Sequence, residues 1–426
     1  MNGQVLDELR WRGLIAISTD EEALRRELEA GPVTFYCGFD PTAPSLHFGN
    51  LVQLVTMRRL QHVGHHPIAV VGGATGLVGD PSGKSAERSL HDVDVIEAWV
   101  ERIRLQVQHL LAFEGDNPAR IVNNLEWTGD LSTLSFLRDI GKHFSVARML
   151  EKESVAARLS DEGISFTEFS YQILQAMDYL ELHRRYGARL QTGGSDQWGN
   201  LTAGVDLIRR AEHASVHALA TPLITRSDGT KYGKSEADAV FLDPAMTSPF
   251  AFYQYFLNQA DADVVALLKT FSFRPREEIE ELERAVAERP EAREAQRILA
   301  EELSAMVHGP EEAARAVAAS EAVFGSGDLT ALDERTLAAA VAGLPRATVD
   351  GTAPAILDLL VSGGLAQSRG DARRTVSEGG AYVNNRRVSD PAWVPGDDDF
   401  LHGRWLLLRR GKRQVAAVER KGTQGP

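Results

Sequence analysis

Cysteine is the rarest residue of this chain, which has only Cys37 among its 426 residues. A single cysteine excludes an intramolecular disulfide and a metal site built from several thiolates. Chains that work in a reducing compartment commonly show this scarcity. We therefore expect a cytoplasmic protein, and we expect no resident metal site.

Long apolar runs are also lacking. No stretch approaches the roughly 20 apolar residues that a membrane-spanning helix needs. Near the start, Asp7, Glu8, Arg10 and Arg12 interrupt the apolar residues, so the continuous apolar core of a signal peptide is missing. We expect a chain that neither crosses a membrane nor is exported.

Positive charge is in short supply as well. The net charge of −14 argues against a surface built for indiscriminate nucleic-acid binding. Residues 354–426 are an exception, with twelve Lys or Arg against eight Asp or Glu. Any nucleic-acid contact is therefore expected in this C-terminal region. Charge alone, however, favours a solvated tail.

The residues that are present describe an ordinary globular protein, 43% hydrophobic and 25% charged. The length predicts two or three domains. Before residue 248, short β-branched strands alternate with helical segments, which predicts a parallel α/β sheet with right-handed crossovers. Ligands of such sheets gather where the strands end. The predicted strands are 33–37, 68–71, 120–122, 190–191 and 223–224.

The character of the chain changes after residue 248. Residues 260–320 are rich in Ala, Glu, Arg and Leu without strand signals, which predicts a helical domain. A mixed stretch up to residue 351 is interpreted as a linker. Two helical segments, a Gly-Gly turn and strands follow Pro354. The predicted domain boundaries are 1–247, 248–330, 331–351 and 352–426.

A glycine-rich segment at 72–85 fits neither common phosphate-binding loop. The part from Gly79 to Ser85 has three residues between its glycines, where a Walker loop requires four. The GxGxxG fingerprint of dinucleotide sites is also missing. By itself this segment is interpreted as a flexible turn.

Two other segments together indicate an ATP site. His47 stands at the predicted start of a helix, where N–H groups and the positive end of the helix dipole attract phosphate. Far along the chain, Lys231 and Lys234 lie beside Gly229 and Gly233. This arrangement suits a cationic clamp for the charge that develops on a leaving pyrophosphate. Either segment alone is a weak signal, but the pair is a strong one.

The pair resembles the HIGH and KMSKS signatures of class I aminoacyl-tRNA synthetases. Four further blocks are YCGFDPT at 36–42, GDPSGK at 79–84, YQILQAMD at 171–178 and GGSDQWGN at 193–200. They resemble the corresponding blocks of the bacterial tyrosyl-tRNA synthetases, and the likeness spans nearly the whole chain. The resemblance implies an α/β fold with a Rossmann-like parallel-sheet catalytic domain, an all-helical domain on the anticodon side and a small α+β RNA-binding module.

The same resemblance implies roles for individual residues. A tyrosine pocket is implied for Tyr36, Asp80, Tyr171, Gln175, Asp178 and Gln197. Contacts with ATP are implied for Cys37, Gly38, Asp40, His47, Gly49, Asn50, Gly193, Asp196, Lys231 and Lys234. Catalytic roles at the phosphates are implied for Thr42, His47, Lys84, Arg88, Lys231, Lys234 and Ser235.

Helical spacing supports part of this pocket independently. Tyr171, Gln175 and Asp178 stand at i, i+4 and i+7, on one face of a helix. Such a face is usually apolar core. Three polar residues on it need hydrogen-bonding partners if they are buried, and a bound phenol and ammonium would supply them.

Two positions depart from the signatures. Asn50 stands where the second histidine of the first signature is expected, and an asparagine cannot become cationic. Gly233 replaces a serine of the second signature, which adds loop freedom and removes a hydroxyl group. His47, Lys231 and Lys234 are retained.

The C-terminal region resembles a small RNA-binding module that also occurs in a small-subunit ribosomal protein (the "S-four" type). Arginines on its turn and hairpin suit the reading of phosphates and shape in folded RNA. This resemblance reverses the preference for a solvated tail. The candidate RNA-binding residues are Arg369, Arg373, Arg374, Arg386 and Arg387.

The implied activity forms tyrosyl-adenylate and pyrophosphate from tyrosine and ATP, with Mg²⁺ on the phosphates, and then transfers tyrosine to the 3′-terminal ribose of its tRNA. The implied assembly is a homodimer. The alternatives are a tryptophan-specific relative and an RNA-binding protein with an inactive synthetase-like body. Tyr36 with Asp178 argues against the first. His47, Lys231 and Lys234 argue against the second.

Overall fold

The computed structural model describes two compact units. One comprises Met1–Met246 with Ala260–Ala295, and the other comprises Thr247–Gln259 with Gln296–Pro426. No helix among the described residues is long and apolar enough to span a membrane. The described residues are 4–80, 91–151, 155, 163–230, 232, 239–325, 327–411 and 414–421. The candidate residues Lys84, Arg88, Lys231, Lys234 and Ser235 lie outside them.

A six-stranded sheet forms the centre of the first unit, in the order β1-β6-β5-β2-β3-β4. All neighbours are parallel except β1, which is antiparallel to β6. The chain runs outward from β2 to β4 and then returns to β5 on the other side of β2, so a topological switch lies between β2 and β5. The strands are β1 Ile17–Ser18, β2 Thr34–Phe39, β3 His66–Val71, β4 Arg120–Asn123, β5 Leu190–Gly194 and β6 His217–Thr221.

Helices follow these strands. The central strands β3 and β6 are almost entirely buried, as expected for a parallel sheet. The helices of this unit are Gln4–Trp11, Glu21–Ala30, Phe48–His62, Gly73–Val78, Val93–Leu110, Leu125–Thr128, Thr133–Ser135, Val146–Leu150, Phe166–Tyr186, Trp198–Ala211, Asp261–Phe271 and Arg276–Glu288.

The second unit contains a five-stranded sheet in the order β7-β11-β10-β8-β9, in which only β7 and β11 are parallel. Asn384 and Asn385 join β8 to β9 with φ of 47° and 65°, as a two-residue type I′ hairpin turn requires. The strands are β7 Arg346–Asp350, β8 Ala381–Val383, β9 Arg386–Arg387, β10 Trp405–Arg410 and β11 Gln414–Lys421. The helices are Pro249–Leu257, Glu294–His308, Pro310–Phe324, Glu334–Val341, Ile356–Ser362 and Arg369–Ser377.

Two stretches differ from the organisation expected from the sequence. Residues 331–351, interpreted as a linker, contain a helix and strand β7. They are ordered because Leu337 and Val341 share a buried apolar core with Trp405 and Leu407. The stretch 248–330, expected as one helical domain, is divided between the two units. Part of it belongs to the first unit, where Phe271 packs on Phe48 at 4.6 Å between ring centres.

Candidate active site

A cavity of about 390 Å³ opens at the carboxyl ends of the parallel strands, beside the switch point between β2 and β5. Its position follows from the topology, since the loops after neighbouring parallel strands diverge there. Every candidate site residue of the first unit that the structure describes lines this cavity. They are Tyr36, Cys37, Gly38, Asp40, Thr42, His47, Gly49, Asn50, Asp80, Tyr171, Gln175, Asp178, Gly193, Asp196 and Gln197.

Asp178 is a buried carboxylate in the wall of the cavity. Its two oxygens accept hydrogen bonds from Asn124 Nδ2 at 3.0 Å and from Trp127 Nε1 at 2.8 Å. Burial raises the pKa of Asp178 to about 7, and the two hydrogen bonds oppose that rise. The carboxyl group is therefore fixed in orientation and close to the midpoint of its titration at neutral pH.

Three cavity residues have buried polar atoms that accept or donate no hydrogen bond within the described part of the chain: the Tyr36 hydroxyl, Gln175 Oε1 and Gln191 Oε1. The Tyr36 side chain is 1% exposed and packs edge-on against Tyr179 at 5.1 Å. Buried polar atoms without partners are costly. Their presence in a cavity indicates that a polar ligand satisfies them.

Tyr171 links two parts of the cavity. Its hydroxyl donates to Asp40 Oδ2 at 2.5 Å, and Asp40 Oδ1 accepts from Thr75 Oγ1 at 2.6 Å. Burial raises the pKa of Tyr171 well above its ordinary value, so the hydroxyl keeps its proton. Gly72 leaves room for the Asp40 carboxylate, because a Cβ at this position would lie 2.1 Å from Asp40 Oδ1.

Asp80 is buried beside two amide side chains. Gln197 Nε2 lies 3.4 Å and Asn200 Nδ2 lies 3.5 Å from its carboxylate oxygens. Both distances exceed the usual length of a hydrogen bond, so the contacts are weak. The carboxylate places a negative charge in the wall of the cavity.

The first signature forms the start of the helix Phe48–His62, with His47 as its N-cap. His47 Nδ1 accepts from the backbone N–H of Gly49 at 3.0 Å, and Asn50 Oδ1 accepts from the backbone N–H of His47 at 3.0 Å. This reciprocal pair is a capping box. Asn50, which departs from the signature, thus fixes the helix end. A Cβ at Gly49 would lie 2.8 Å from the His47 ring.

Cys37 is buried in β2, and burial raises the pKa of its thiol to about 12. Its Sγ lies 3.8 Å from Gln53 Oε1, while Gln53 Nε2 donates to Thr221 Oγ1 at 2.6 Å. A thiol held in this way is not a nucleophile at neutral pH. It is a structural part of the cavity wall.

Sequence reasoning missed several residues of the site. Asn124, Thr75, Gln53 and Thr221 line the cavity, and Trp127 holds Asp178. One available signal was position, because Asn124 follows the strand predicted at 120–122, and ligands gather where strands end. Thr221 had no such signal, because the last strand was predicted at 223–224, whereas β6 is His217–Thr221. Trp127 carried no such signal, since it reaches Asp178 only through the tertiary fold.

The C-terminal arginines lie in the second unit and are all exposed. Arg369 pairs with Asp358 at 2.9 Å, and Arg387 packs over Gly379. Arg373 and Arg374 lie on the helix Arg369–Ser377, whereas Arg386 lies on the β8–β9 hairpin. The C-terminal module thus presents exposed cationic side chains on this helix and on this hairpin.

Comparisons with known proteins place this chain in one class. Residues 28–325 match the family "tRNA synthetases class I (W and Y)", and residues 336–418 match the "Tyrosine--tRNA ligase SYY-like C-terminal domain". The tyrosine–tRNA ligase of Streptomyces avermitilis is 61% identical over 420 residues, covering 98% of this chain and 99% of that protein. That of Mycobacterium tuberculosis is 56% identical and covers 99% of this chain and 100% of that protein.

Solved structures agree. A C-terminally truncated mitochondrial tyrosyl-tRNA synthetase of Aspergillus nidulans is 30% identical with a TM-score of 0.68, covering 73% of this chain and 92% of that one. A tryptophanyl-tRNA synthetase of Encephalitozoon cuniculi, 14% identical with a TM-score of 0.54, shares the fold over 72% of this chain and 87% of that one. The chain belongs to the tyrosine–tRNA ligase family of the class I tRNA synthetases.

Proposed function

We propose that the chain is a tyrosine–tRNA ligase, which forms tyrosyl-adenylate and pyrophosphate from tyrosine and ATP and then transfers tyrosine to the 3′-terminal ribose of its tRNA. The buried Asp178 carboxylate and the Tyr36 hydroxyl line the same cavity, and the Tyr36 hydroxyl has no hydrogen-bonding partner within the described part of the chain. This juxtaposition is the observation that carries the proposal. A substrate phenol can donate to the Asp178 carboxylate and accept from the Tyr36 hydroxyl.

The rest of the amino acid fits the remaining groups. The ammonium group would lie between Asp80, the Tyr171 hydroxyl and Gln175, and the carboxylate would lie near Gln197. Phenylalanine would bring no donor to Asp178 and would leave the Tyr36 hydroxyl without a partner in a buried site, which is costly. The proposed pocket therefore favours tyrosine by penalising the substrate that lacks a hydroxyl group.

The phosphate end needs positive charge. Asp40, Asp80, Asp178 and Asp196 line the cavity, whereas no lysine or arginine does so among the described residues. We assign the positive charge to Lys231 and Lys234, with Lys84 and Arg88 as further contributors, beside Thr42, His47 and Ser235. The adenosine would occupy the wall formed by Cys37, Gly38, Asp40, Gly49, Asn50, Gly193 and Asp196.

The first step needs no covalent enzyme intermediate. The tyrosine carboxylate is already ionised and attacks the α-phosphorus of ATP in line, while the bond to pyrophosphate breaks. Positioning and electrostatic stabilisation then supply the catalysis. Mg²⁺ bound to the ATP phosphates would neutralise part of their charge.

Assembly and partners extend the proposal. Exposed apolar side chains concentrate between residues 134 and 166, with Leu134 79%, Val146 61% and Phe166 74% exposed. Such a concentration suits a protein interface, here that of a homodimer. The C-terminal module would bind tRNA, and we assign the catalytic part to 1–247 and the RNA-binding part to 352–426. The enzyme would work in the cytoplasm.

One experiment tests the central proposal: ATP–pyrophosphate exchange by the full chain with each of the twenty amino acids. Exchange with tyrosine and not with phenylalanine or tryptophan is expected. Exchange with tryptophan alone would identify the tryptophan-specific alternative. Exchange with none would support an RNA-binding protein with an inactive synthetase-like body.

A further inference from the structure

The turn that leads into the second signature is held by a helix from a later part of the chain. The backbone N–H of Ser227 donates to Asp263 Oδ1 over 2.6 Å. Asp263 is 8% exposed and lies in the first turn of the helix Asp261–Phe271. Its negative charge is stabilised at this helix end by the helix dipole, which favours a strong charge-assisted hydrogen bond.

Backbone hydrogen bonds fix the shape of this turn. The Gly229 N–H donates to the Arg226 carbonyl at 2.9 Å, and the Arg226 N–H donates to the Thr230 carbonyl at 2.8 Å. The Tyr232 N–H donates to the Ile224 carbonyl at 3.3 Å, and both of these residues line the cavity. The turn held by Asp263 is therefore continuous with the wall of the site, and Lys231 follows Thr230 directly in the sequence.

The opposite end of the same helix is held by two buried arginines. Arg12 donates to the carbonyls of Lys269 and Ser272 at 3.0 and 2.7 Å. Arg59 donates to the carbonyls of Thr270 and Ser272 at 3.3 and 2.5 Å. These bonds satisfy carbonyl groups at a helix C-terminus, where cations are favoured. The helix is thus fixed at both ends.

The first signature contacts the same helix. Arg59 lies on the helix Phe48–His62, whose N-cap is His47. At the start of that helix, Phe48 packs on Phe271 at 4.6 Å and on Tyr232 at 5.6 Å between ring centres. The helix Asp261–Phe271 therefore joins the two signatures, which are far apart in the sequence.

We propose that Asp263 is a positioning residue for the phosphate end of the reaction. It lies outside the lining of the cavity, and it acts by holding the turn after which Lys231 and Lys234 follow in the sequence. The inference rests on the proposed function and assigns that site a residue outside both signatures. It predicts an effect on the turnover of ATP without an effect on the tyrosine pocket.

The test compares variants of the full chain in tyrosine-dependent ATP–pyrophosphate exchange. Asp263→Ala removes the acceptor, and Asp263→Asn retains one. Ser227→Pro removes the backbone N–H that donates this hydrogen bond. Ser227 is the second residue of its four-residue turn, a position where proline is favoured. Glu277→Ala is the matched control, because it removes an exposed carboxylate from the first turn of the neighbouring helix.

We expect Asp263→Ala and Ser227→Pro each to lower kcat about tenfold, as loss of a hydrogen bond to a charged group predicts. The KM for tyrosine should stay unchanged. Asp263→Asn should stay within about threefold of the unsubstituted chain, and the double variant should be no slower than the slower single variant.

Three outcomes would overturn the inference: an unchanged kcat in Asp263→Ala, an equal loss in Asp263→Asn, or multiplying losses in the double variant. Thermal unfolding of each variant shows whether a loss of activity is a loss of folding, and Ser227→Pro tests the same bond if Asp263→Ala does not fold. A chain that fails to exchange with tyrosine before any substitution refutes the proposed function instead.

Discussion

The indole N–H of Trp127 donates to Asp178 Oδ1 over 2.8 Å, so the carboxylate in the cavity is oriented by a residue outside its lining. Asn124 holds the other oxygen at 3.0 Å. A substrate phenol would then meet a carboxylate with little freedom to rotate. Such a fixed acceptor costs less reorganisation on binding than a mobile one.

Trp127→Phe should raise the KM for tyrosine about tenfold, because it removes a hydrogen bond to a buried charge and keeps most of the aromatic volume. The kcat should change less, since the phosphates are unaffected. Exchange kinetics with tyrosine measure both constants. Trp99→Phe is the matched control, a tryptophan that contacts His91 instead. An unchanged tyrosine KM in Trp127→Phe would contradict this role.

The pH dependence of tyrosine activation should follow the ionisation of the Asp178 carboxyl group. Its pKa is raised to about 7 by burial, so the carboxylate form that accepts from a phenol is lost below that pH. We expect kcat/KM for tyrosine to fall with decreasing pH below about 7 and to level off above it. A profile that stays flat between about pH 6 and 8 would show that ionisation of Asp178 is not required.

The folding stability of the chain should also depend on the ionisation of Asp178, but in the opposite direction: the protonated carboxyl group is the more stable form in the fold. A folded pKa raised above the unfolded value contributes stability at low pH that is lost as the pH rises through the folded pKa, here about 7. Asp178→Asn cannot ionise, so its stability relative to the unsubstituted chain should increase from pH 5 to pH 8, by up to about 3 kcal/mol. Denaturant titrations at the two pH values measure this difference.

Acid should destabilise the first unit through His65. Burial lowers the pKa of this side chain to about 4, and its Nδ1 accepts from the Val33 N–H at 3.1 Å. The neutral form is therefore required, and its stabilisation is present above the unfolded pKa near 6.5 and lost as the pH falls towards 4. His65→Asn keeps an acceptor without titrating, so its Tm should depend less on pH in this window. The exposed His109→Asn should leave that dependence unchanged.

The RNA-binding module is best tested by point substitution. Trp405 and Leu407 share a buried core with Leu337 and Val341, so deletion of residues 354–426 would expose apolar surface in the rest of the unit. A chain shortened in this way would confound loss of tRNA binding with damage to the fold.

Arg373→Ala combined with Arg386→Ala should weaken tRNA charging and spare tyrosine activation. Each phosphate contact that is lost should reduce the salt dependence of tRNA binding by about one unit of slope. Charging measured at several salt concentrations gives that slope. Arg335→Ala, which removes a 74% exposed arginine of the same unit outside the module, is the control. Equal effects of the two changes would argue against a specific surface.

Local patterns predicted much of the site. The spacing of Tyr171, Gln175 and Asp178 placed them on one helical face, and all three line the cavity. The alternation of strands and helices predicted the parallel sheet, because buried parallel strands have a recognisable composition. His47 was expected at a helix start, and it is the N-cap.

What the sequence could not predict depends on contacts between distant residues. Trp127 and Asp178 are 51 positions apart, and Ser227 and Asp263 are 36 apart, with no periodic pattern joining them. Asn50 was recognised as a lost cation, but its bond to the His47 N–H appears only in the structure. The stretch 331–351 lacked strong periodicity and was interpreted as a linker, although packing against β10 orders part of it.

The place of β11 in the second sheet bears on quality control in the cell. This strand is paired along both edges, with β7 on one side and β10 on the other. Its amide protons should be among the slowest of the module to exchange with solvent. A chain that loses the strand to proteolysis would leave β7 and β10 with unpaired edges, which are templates for association with other chains. Such a fragment is expected to aggregate and to be removed by proteases instead of persisting as a partly active enzyme.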